Sequence, residues 1–383
     1  MKKIFIMFLS VLTALSVTAC SLSGSDNNGI SSYKDEISNT YDIPQNDDRE
    51  YDIALITDSE GIESEKNLNL WKSIIAYGDT NCKTYKYYPE SQDETAVYLI
   101  DKAVANNAKI VILPDSKYKN TLTEIQSFYP YINFIILDTQ SDEVFAENVH
   151  CVKFKEEQAG YLAGYLSVLD GNQSLGFIGD GDNEKNMRYL YGMVQGADDA
   201  TQKLRLHGIT IQYKFIEDNP EKAKKLSKAF YDDGVDVIFT CAENIAKGAA
   251  QSAESAEKKI ICGGSVFEDT ENVSLAYVEY EIVRAVDYTI NSGFDSYLDW
   301  VGESENKDLN LGLENDCIEI SVDKSMWKFK NVSAADYNDI VNKIINGDVE
   351  ISDNTESKPP IAAVVYSEFV TYDDDDESEN EDD

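Results

Sequence analysis

From Tyr51 onward the chain alternates short runs of β-branched and aromatic residues with longer amphipathic stretches. The runs YDIALIT, KTYKYY, KIVILP, INFIILD, HCVKF, LGFIGD, ITIQYKFI, VDVIFTC, KIICGG, VSLAYVEY and LNLGL predict strands. Helices are expected between most of them, beginning near Lys66, Gln92, Tyr118, Glu156, Glu184, Pro220, Ile245 and Glu281. Strands and helices in alternation build parallel sheets with helices on both faces, an α/β fold. A body of about 300 residues outgrows one hydrophobic core and predicts two lobes. The boundary is expected near Phe154, where HCVKF runs into the small-residue helix KEEQAGYLAGYLSVL. Near the end, SKPPIAAVVYSEFVTY offers an edge strand that Pro359 and Pro360 weaken, because proline cannot donate to a ladder.

The two ends depart from this pattern. Residues 1–20 read MKKIFIMFLSVLTALSVTAC, with Lys2 and Lys3 ahead of an apolar run from Ile4 to Val17, the layout of a secretory signal peptide. Its last residues, Val17-Thr18-Ala19-Cys20, resemble the bacterial lipobox and make Cys20 the expected lipidation site. An ordinary signal peptide with an incidental cysteine is the other reading. Residues 21–50 are polar and without period; they predict a flexible tether of roughly 30 Å. One acyl chain anchors only marginally, so stable anchoring needs the several chains that likeness to bacterial lipoproteins implies.

The net charge is −38 over 383 residues, and nine of the last eleven, DDDDESENEDD, are acidic. They predict a solvated, disordered tail to a C-terminal extension over residues 351–383. Such acidity argues against nucleic acid and against direct adsorption to anionic lipid, both of which demand clustered Lys and Arg. Six cysteines, at 20, 82, 151, 241, 262 and 317, form no CxxC pair and no zinc spacing. Small buried thiols are expected, with a bridge between Cys241 and Cys262 left open.

In open parallel sheets a ligand sits off the carboxyl ends of the strands. Reading those ends gives Asp58, Asp115, Asp138, Asp180 and Glu243. Each also reads as a cap for the following helix; at least two of the five are expected to touch a ligand. His150 and His207 are not spaced with other ligands as a metal would require. There is no GxSxG elbow and no GxxxxGK[ST] loop, and the glycines of GFIGDGD only loosely match a dinucleotide loop. A hydrolase needs only two well-placed carboxylates, but nothing marks such a pair. The expectation is binding without chemistry: no enzyme, no cofactor and no metal.

Glu156 to Ala200, EEQAGYLAGYLSVLDGNQSLGFIGDGDNEKNMRYLYGMVQGADDA, together with YDDGVDVIFTCAEN and NFIILDT, resembles a known family. This is the basic membrane protein or purine-nucleoside-receptor lipoproteins, the substrate-binding components of bacterial ABC importers. The likeness covers about residues 51–350. It implies a type I periplasmic-binding-protein-like fold, two Rossmann-like parallel-sheet lobes joined by a hinge and closing on a ligand. Residues 51–154 and about 280–350 are expected in the first lobe and 155–279 in the second. The implied partners are a small-molecule ligand, an ABC permease and, through the lipid anchor, the extracytoplasmic face of the cell membrane; a monomer is expected.

The ligand motifs of the family are where this chain departs. DSEGIESEKNLN, set against D-x-G-G-I-D-D-K-S-F-N, keeps Asp58, Gly61 and Ile62. With one residue inserted, the family's aromatic and Asn fall at Leu68 and Asn69; without it, at Asn67 and Leu68. Either way a stacking aromatic is lost, worth roughly 1–3 kcal/mol per base. The second stacking Phe falls near Glu217, the Gly-Gly after VDVIF at Ala242-Glu243, the Asp of GVDxD at Gly264 and the lysine of SxxK at Glu279. Only the acids at Asp58 and Asp138 carry over. The expected site is therefore Asp58, Asn69, Asp138, Glu217, Glu243 and Glu279. Tyr87, Tyr88, Tyr161, Tyr189 and Trp71 stand as aromatics that could restore stacking from elsewhere.

Desolvated carboxylates need donors or cations. The expected ligand is thus small and nucleoside-like, polyhydroxylated or amine-bearing. The expected function is solute capture for an ABC importer. The alternative is a ligand-sensing or surface-interaction lipoprotein that kept the fold and lost import.

Overall fold

The apolar runs become interior strands, with β1, β3, β4, β5 and β8 below buried along their whole length. The computed structural model describes residues 50–139, 145–264, 270–281, 284–286, 289–290, 308–322 and 326–370. Its strands are β1 (Ile53–Thr57), β2 (Tyr85–Pro89), β3 (Ile110–Leu113), β4 (Asn133–Leu137), β5 (Val149–Phe154), β6 (Ser174–Asp180) and β7 (Ile209–Ile216). They continue with β8 (Val237–Thr240), β9 (Lys259–Gly264), β10 (Ser274–Tyr280), β11 (Asp308–Leu311), β12 (Ile318–Ile320) and β13 (Val364–Glu368). The longer helices are α1 (Glu65–Asn81), α2 (Ala96–Ala105), α3 (Lys119–Ile125), α4 (Glu156–Leu169), α5 (Glu184–Leu204), α6 (Pro220–Asp232), α7 (Glu243–Ala256) and α8 (Ala334–Ile345).

Two sheets result. The first has the order β11-β5-β4-β3-β1-β2 and is parallel throughout. The second has the order β12-β10-β9-β8-β6-β7-β13, parallel except for the antiparallel pair β10 and β12. This is the expected pair of parallel α/β lobes. Helix starts are set locally: Ser64, Asn183, Asn219 and Ser333 each accept a backbone N–H in the first turn that follows, and Pro220 adds a preset φ at the start of α6.

The expected course of the chain after residue 280 needs correcting. Only β11 joins the first sheet, while β12 pairs with β10 in the second. Helix α8 buries Tyr337, Ile340 and Ile344 in the core of the second lobe, and the Tyr337 hydroxyl accepts the Ile320 N–H at 2.9 Å. The apolar stripe of α8 thus has its partner in the second lobe. Strand β13 extends the second sheet beside β7, with Pro359 and Pro360 lying ahead of it. The buried Asp198 carboxylate accepts the N–H groups of Ala362, Ala363 and Val364 and fixes that edge.

Helices α4 and α5 pack unusually close. A Cβ built on Gly160 would lie 2.0 Å from the Tyr189 carbonyl oxygen, and one on Gly192 would lie 2.1 Å from that of Glu157. Gly164 and Gly196 face Met193 O and Tyr161 O in the same way, each at 2.1 Å. The EEQAGYLAG and GMVQGA segments therefore encode a backbone-to-backbone helix crossing.

The five cysteines among the described residues are free. Cys241 and Cys262 are not bridged, and Cys82 is exposed where a buried thiol was expected. Cys20 lies outside the described residues.

Candidate functional site

The carboxyl ends of the two sheets face each other across a cavity of about 490 Å³. Ser116, Asp138, Thr139 and Lys153 line it from the first lobe. Asp180, Asn183, Glu184, Lys185, Asn186, Arg188 and Cys241 line it from the second. No aromatic ring is among these residues. Trp71, Tyr88, Tyr161 and Tyr189 are core residues at 1–2% exposure, and Tyr87 packs edge-on against Trp71. These rings are packed inside their own lobes and do not line the cavity.

Asp138 follows β4 in the left-handed region, with φ of 56°. That turn aims its carboxylate across the cleft, where the Lys185 ammonium donates to both oxygens at 2.9 Å. Lys185 belongs to the first turn of α5, so the pair joins the lobes. Burial alone would lower the Lys185 pKa, but Asp138 and Glu156 outweigh it and hold the ammonium above the usual lysine range. Nearby, burial and the neighbouring Asp218 raise Asp180, with Lys185 opposing them.

Deeper in, Glu156 is fully buried. Its Oε2 lies 3.0 Å from Arg188 Nε, yet neither carboxylate oxygen receives an aligned hydrogen bond. Burial pushes the Glu156 pKa up against the pull of Arg188 and Lys185. Arg188 also reaches Glu184 at 3.3 Å. The charges of the cavity are thus largely paired with one another, and an entering ligand has to exchange with these pairs.

Of the six expected site residues, one lines the cavity: Asp138. Asp58 stands at the end of β1, paired with Lys117 at 2.8 Å and accepting from Asn67 Nδ2 at 3.2 Å. Asn67 also donates to the Gly61 carbonyl at 2.8 Å, closing the turn that Gly61 makes possible with φ of 59°. Asn67, not Asn69, is thus the amide that meets Asp58, while the Asn69 carbonyl accepts from Ser73 inside α1. Glu217 is exposed and paired with Lys222 at 2.8 Å. Glu243 opens α7 and pairs with Lys247 one turn on. Glu279 lies opposite Glu319 in the β10–β12 ladder. Asp115 caps the turn at 116–118 by accepting the Lys117 N–H at 2.9 Å. Positions matched across a distant alignment thus stand apart from this cavity, because one sequence does not fix how each turn folds back on its strand.

What the expected set missed is the cation side of the cavity: Lys153, Lys185 and Arg188. The strand-end rule pointed to Asp180 and could have pointed past it, since Asn183 to Arg188 follow in the turn and first helical turn after β6.

Two glutamates carry a pH prediction. Burial, then the facing Glu319 and Glu281, raise Glu279 to about 7. Burial chiefly raises Glu157 to about 7. The unfolded chain releases these protons near the ordinary glutamate value of 4.5, so between there and pH 7 the native state binds more protons and stability falls as pH rises. Glu279→Gln is expected to gain on the order of 1 kcal/mol at pH 8, discounted for partial exposure, and nothing at pH 4. Urea midpoints at the two pH values measure it.

Residues 28–355 match the family model described as "ABC transporter substrate-binding protein PnrA-like". The CD4+ T-cell-stimulating antigen of Listeria monocytogenes is 23% identical over 218 residues, 55% of this chain and 60% of the relative. Basic membrane protein C of Borreliella burgdorferi is 26% identical over 229 residues, 59% of this chain and 63% of the relative. This chain thus matches less than two thirds of the length of either relative. Among solved structures, an ABC transporter solute-binding protein from Conexibacter woesei superposes with a TM-score of 0.58 at 13% identity, covering 79% of this chain and 98% of its own. That likeness shows the fold, a type I periplasmic-binding-protein architecture. With a family match over most of its length and two parallel lobes meeting at a polar cleft, the chain belongs to the PnrA-like family of ABC transporter substrate-binding proteins.

Proposed function

We propose that this protein captures a small polar solute for an ABC importer, held by lipid on Cys20 at the extracytoplasmic face of the membrane. The observation that carries the ligand class is the lining of the cleft: carboxylates, ammonium and guanidinium groups and amides, with no ring for a base to stack on among the described residues that line it. A polyhydroxylated or amine-bearing ligand fits this lining, because its hydroxyls or ammonium groups can replace Lys185 at Asp138. Lobe closure around it would then present one shape to a permease. For the anchor, support rests on the lipobox-like site before Cys20; no helix among the described residues is long and apolar enough to cross a membrane.

A thermal-shift screen over sugars, polyamines, amino acids and nucleosides tests the ligand class, since a ligand of the folded state raises the melting temperature by mass action. A sugar, polyamine or amino acid is expected to score. Asp138→Ala should then weaken that ligand about 10- to 100-fold by calorimetry, the worth of a hydrogen bond to a charged group. Micromolar binding of adenosine, guanosine or inosine, with no gain from cationic analogues, would overturn the proposed ligand class.

The displacement of Glu217, Glu243 and Glu279 from the cavity favours a second reading, a sensor that kept the fold and lost import. A permease and an ATPase encoded beside this chain support the first reading; an isolated gene supports the second.

A further inference from the structure

The strongest concentration of positive charge in this acidic chain lies outside the lining of the cleft. Residues 222–228 read KAKKLSK, four lysines without an acid, in a chain with 33 basic and 71 acidic residues. They occupy the outer face of α6, and Lys224, Lys225 and Lys228 line a groove of about 480 Å³ between α6 and α7, opposite Ser252 and Ser255, with Glu221 and Asp232 as its two acids. Lys222 is engaged with Glu217 and Lys228 with Asp232. Lys224 and Lys225 are exposed and have no ion-pair partner among the described residues.

The last described residues come to the same helix. The Phe369 N–H donates to Tyr213 O at 2.8 Å, and the Phe369 ring meets Phe230 of α6 edge-on at 4.7 Å. Just beyond come Asp373 to Asp383, nine acids in eleven residues. Residues 371–383 can span roughly 40 Å when extended, against about 10–12 Å for the diameter of a helix. Reach is therefore no obstacle, and a tethered segment acts at an effective concentration in the millimolar range.

We propose that the acidic segment Asp373–Asp383 docks on the lysine face of α6 and the α6–α7 groove as an internal electrostatic cover. Several acids meet several lysines, so the contact tolerates many registers and depends on salt. Its effect is to withhold this basic face from other anionic surfaces until salt or a competing partner displaces the segment. The proposal is independent of what the cleft binds.

Lysine acylation read by mass spectrometry tests it, comparing the full chain with a chain ending at Tyr372 and with one whose tail acids are Asn and Gln. Salt is set at about 10 mM or about 1 M, where charges act over roughly 30 Å or 3 Å. At low salt Lys224, Lys225 and Lys228 of the full chain should react at least about three-fold more slowly than in either variant, with the difference lost at high salt. Lys109, exposed on the first lobe, is the reference and should not change. Equal rates in all three proteins overturn the proposal. So does protection that survives tail removal: a second copy on the groove if it grows with protein concentration, or an anionic contaminant if it does not.

Discussion

Alanine at Gly164 and Gly192 together is expected to destabilise the protein by about 4 kcal/mol, lowering the urea midpoint without changing ligand class. Two effects compete at each position. Replacing glycine by alanine inside a helix favours the helix by about 1 kcal/mol. Against it stands a Cβ that would sit 2.1 Å from Met193 O at Gly164 and 2.1 Å from Glu157 O at Gly192. Both obstacles are backbone atoms, so no side-chain rotation relieves them and the helix axes must part. Overpacking of this kind costs about 1–3 kcal/mol per site and more when the neighbour cannot yield. Parting α4 and α5 also loosens the largely buried face of α4, so the steric cost wins. A double variant within about 0.5 kcal/mol of the parent would show that the crossing is looser than its geometry.

Arg188→Leu is expected to cost about 3–5 kcal/mol at pH 7, because it strands the Glu156 carboxylate in the interior. The penalty should shrink as pH falls. Glu156 already has a raised pKa, and without Arg188 it rises further, so the native state takes up a proton that the unfolded chain has released. Stability of the variant therefore declines as pH climbs from the ordinary glutamate value through the raised one. Pairing Arg188→Leu with Glu156→Leu should restore most of the loss, since apolar residues of similar volume commonly replace a buried ion pair without cost. Denaturant titrations of the single and double variants at pH 5 and pH 7 check both statements. A single-variant loss that ignores pH would mean that Glu156 stays ionised.

The family was legible at Glu156 to Ala200 for a reason the crossing of α4 and α5 makes plain. Small residues spaced along two helices record a close approach that every chain with this fold must solve alike, so the pattern stands out in one sequence. The strands were legible because a run buried on both faces is apolar at nearly every position, as in IALIT and NFIIL, where only the terminal Thr57 and Asn133 are polar. Asp138 was legible because a strand end is a topological position, read without knowing any loop.

The pocket was legible only in part. Glu217, Glu243 and Glu279 were placed by matching motif to motif, Glu243 also as a strand-end acid; in the structure Glu217 pairs with Lys222, Glu243 pairs with Lys247, and Glu279 faces Glu319 across the β10–β12 ladder. Lys185 went unseen because its partner, Asp138, lies 47 residues earlier and in the other lobe. Residues 334–345 were put in the first lobe with the rest of the stretch after 280, and the amphipathic stripe of α8 states that it needs a core and not which one.

By itself, then, the sequence determined the local and periodic features: strands buried on both faces, caps such as Asn219 and Ser333, the glycine spacing of one helix crossing, and an acid at a strand end. These depend on neighbours within a few residues or on a repeat, and such information survives in one dimension. Only the tertiary structure decided which lobe β12 and α8 join, which rings are taken up by packing, and which cation answers Asp138. Those are matters of distance between residues far apart in the chain, and charge and packing act through space.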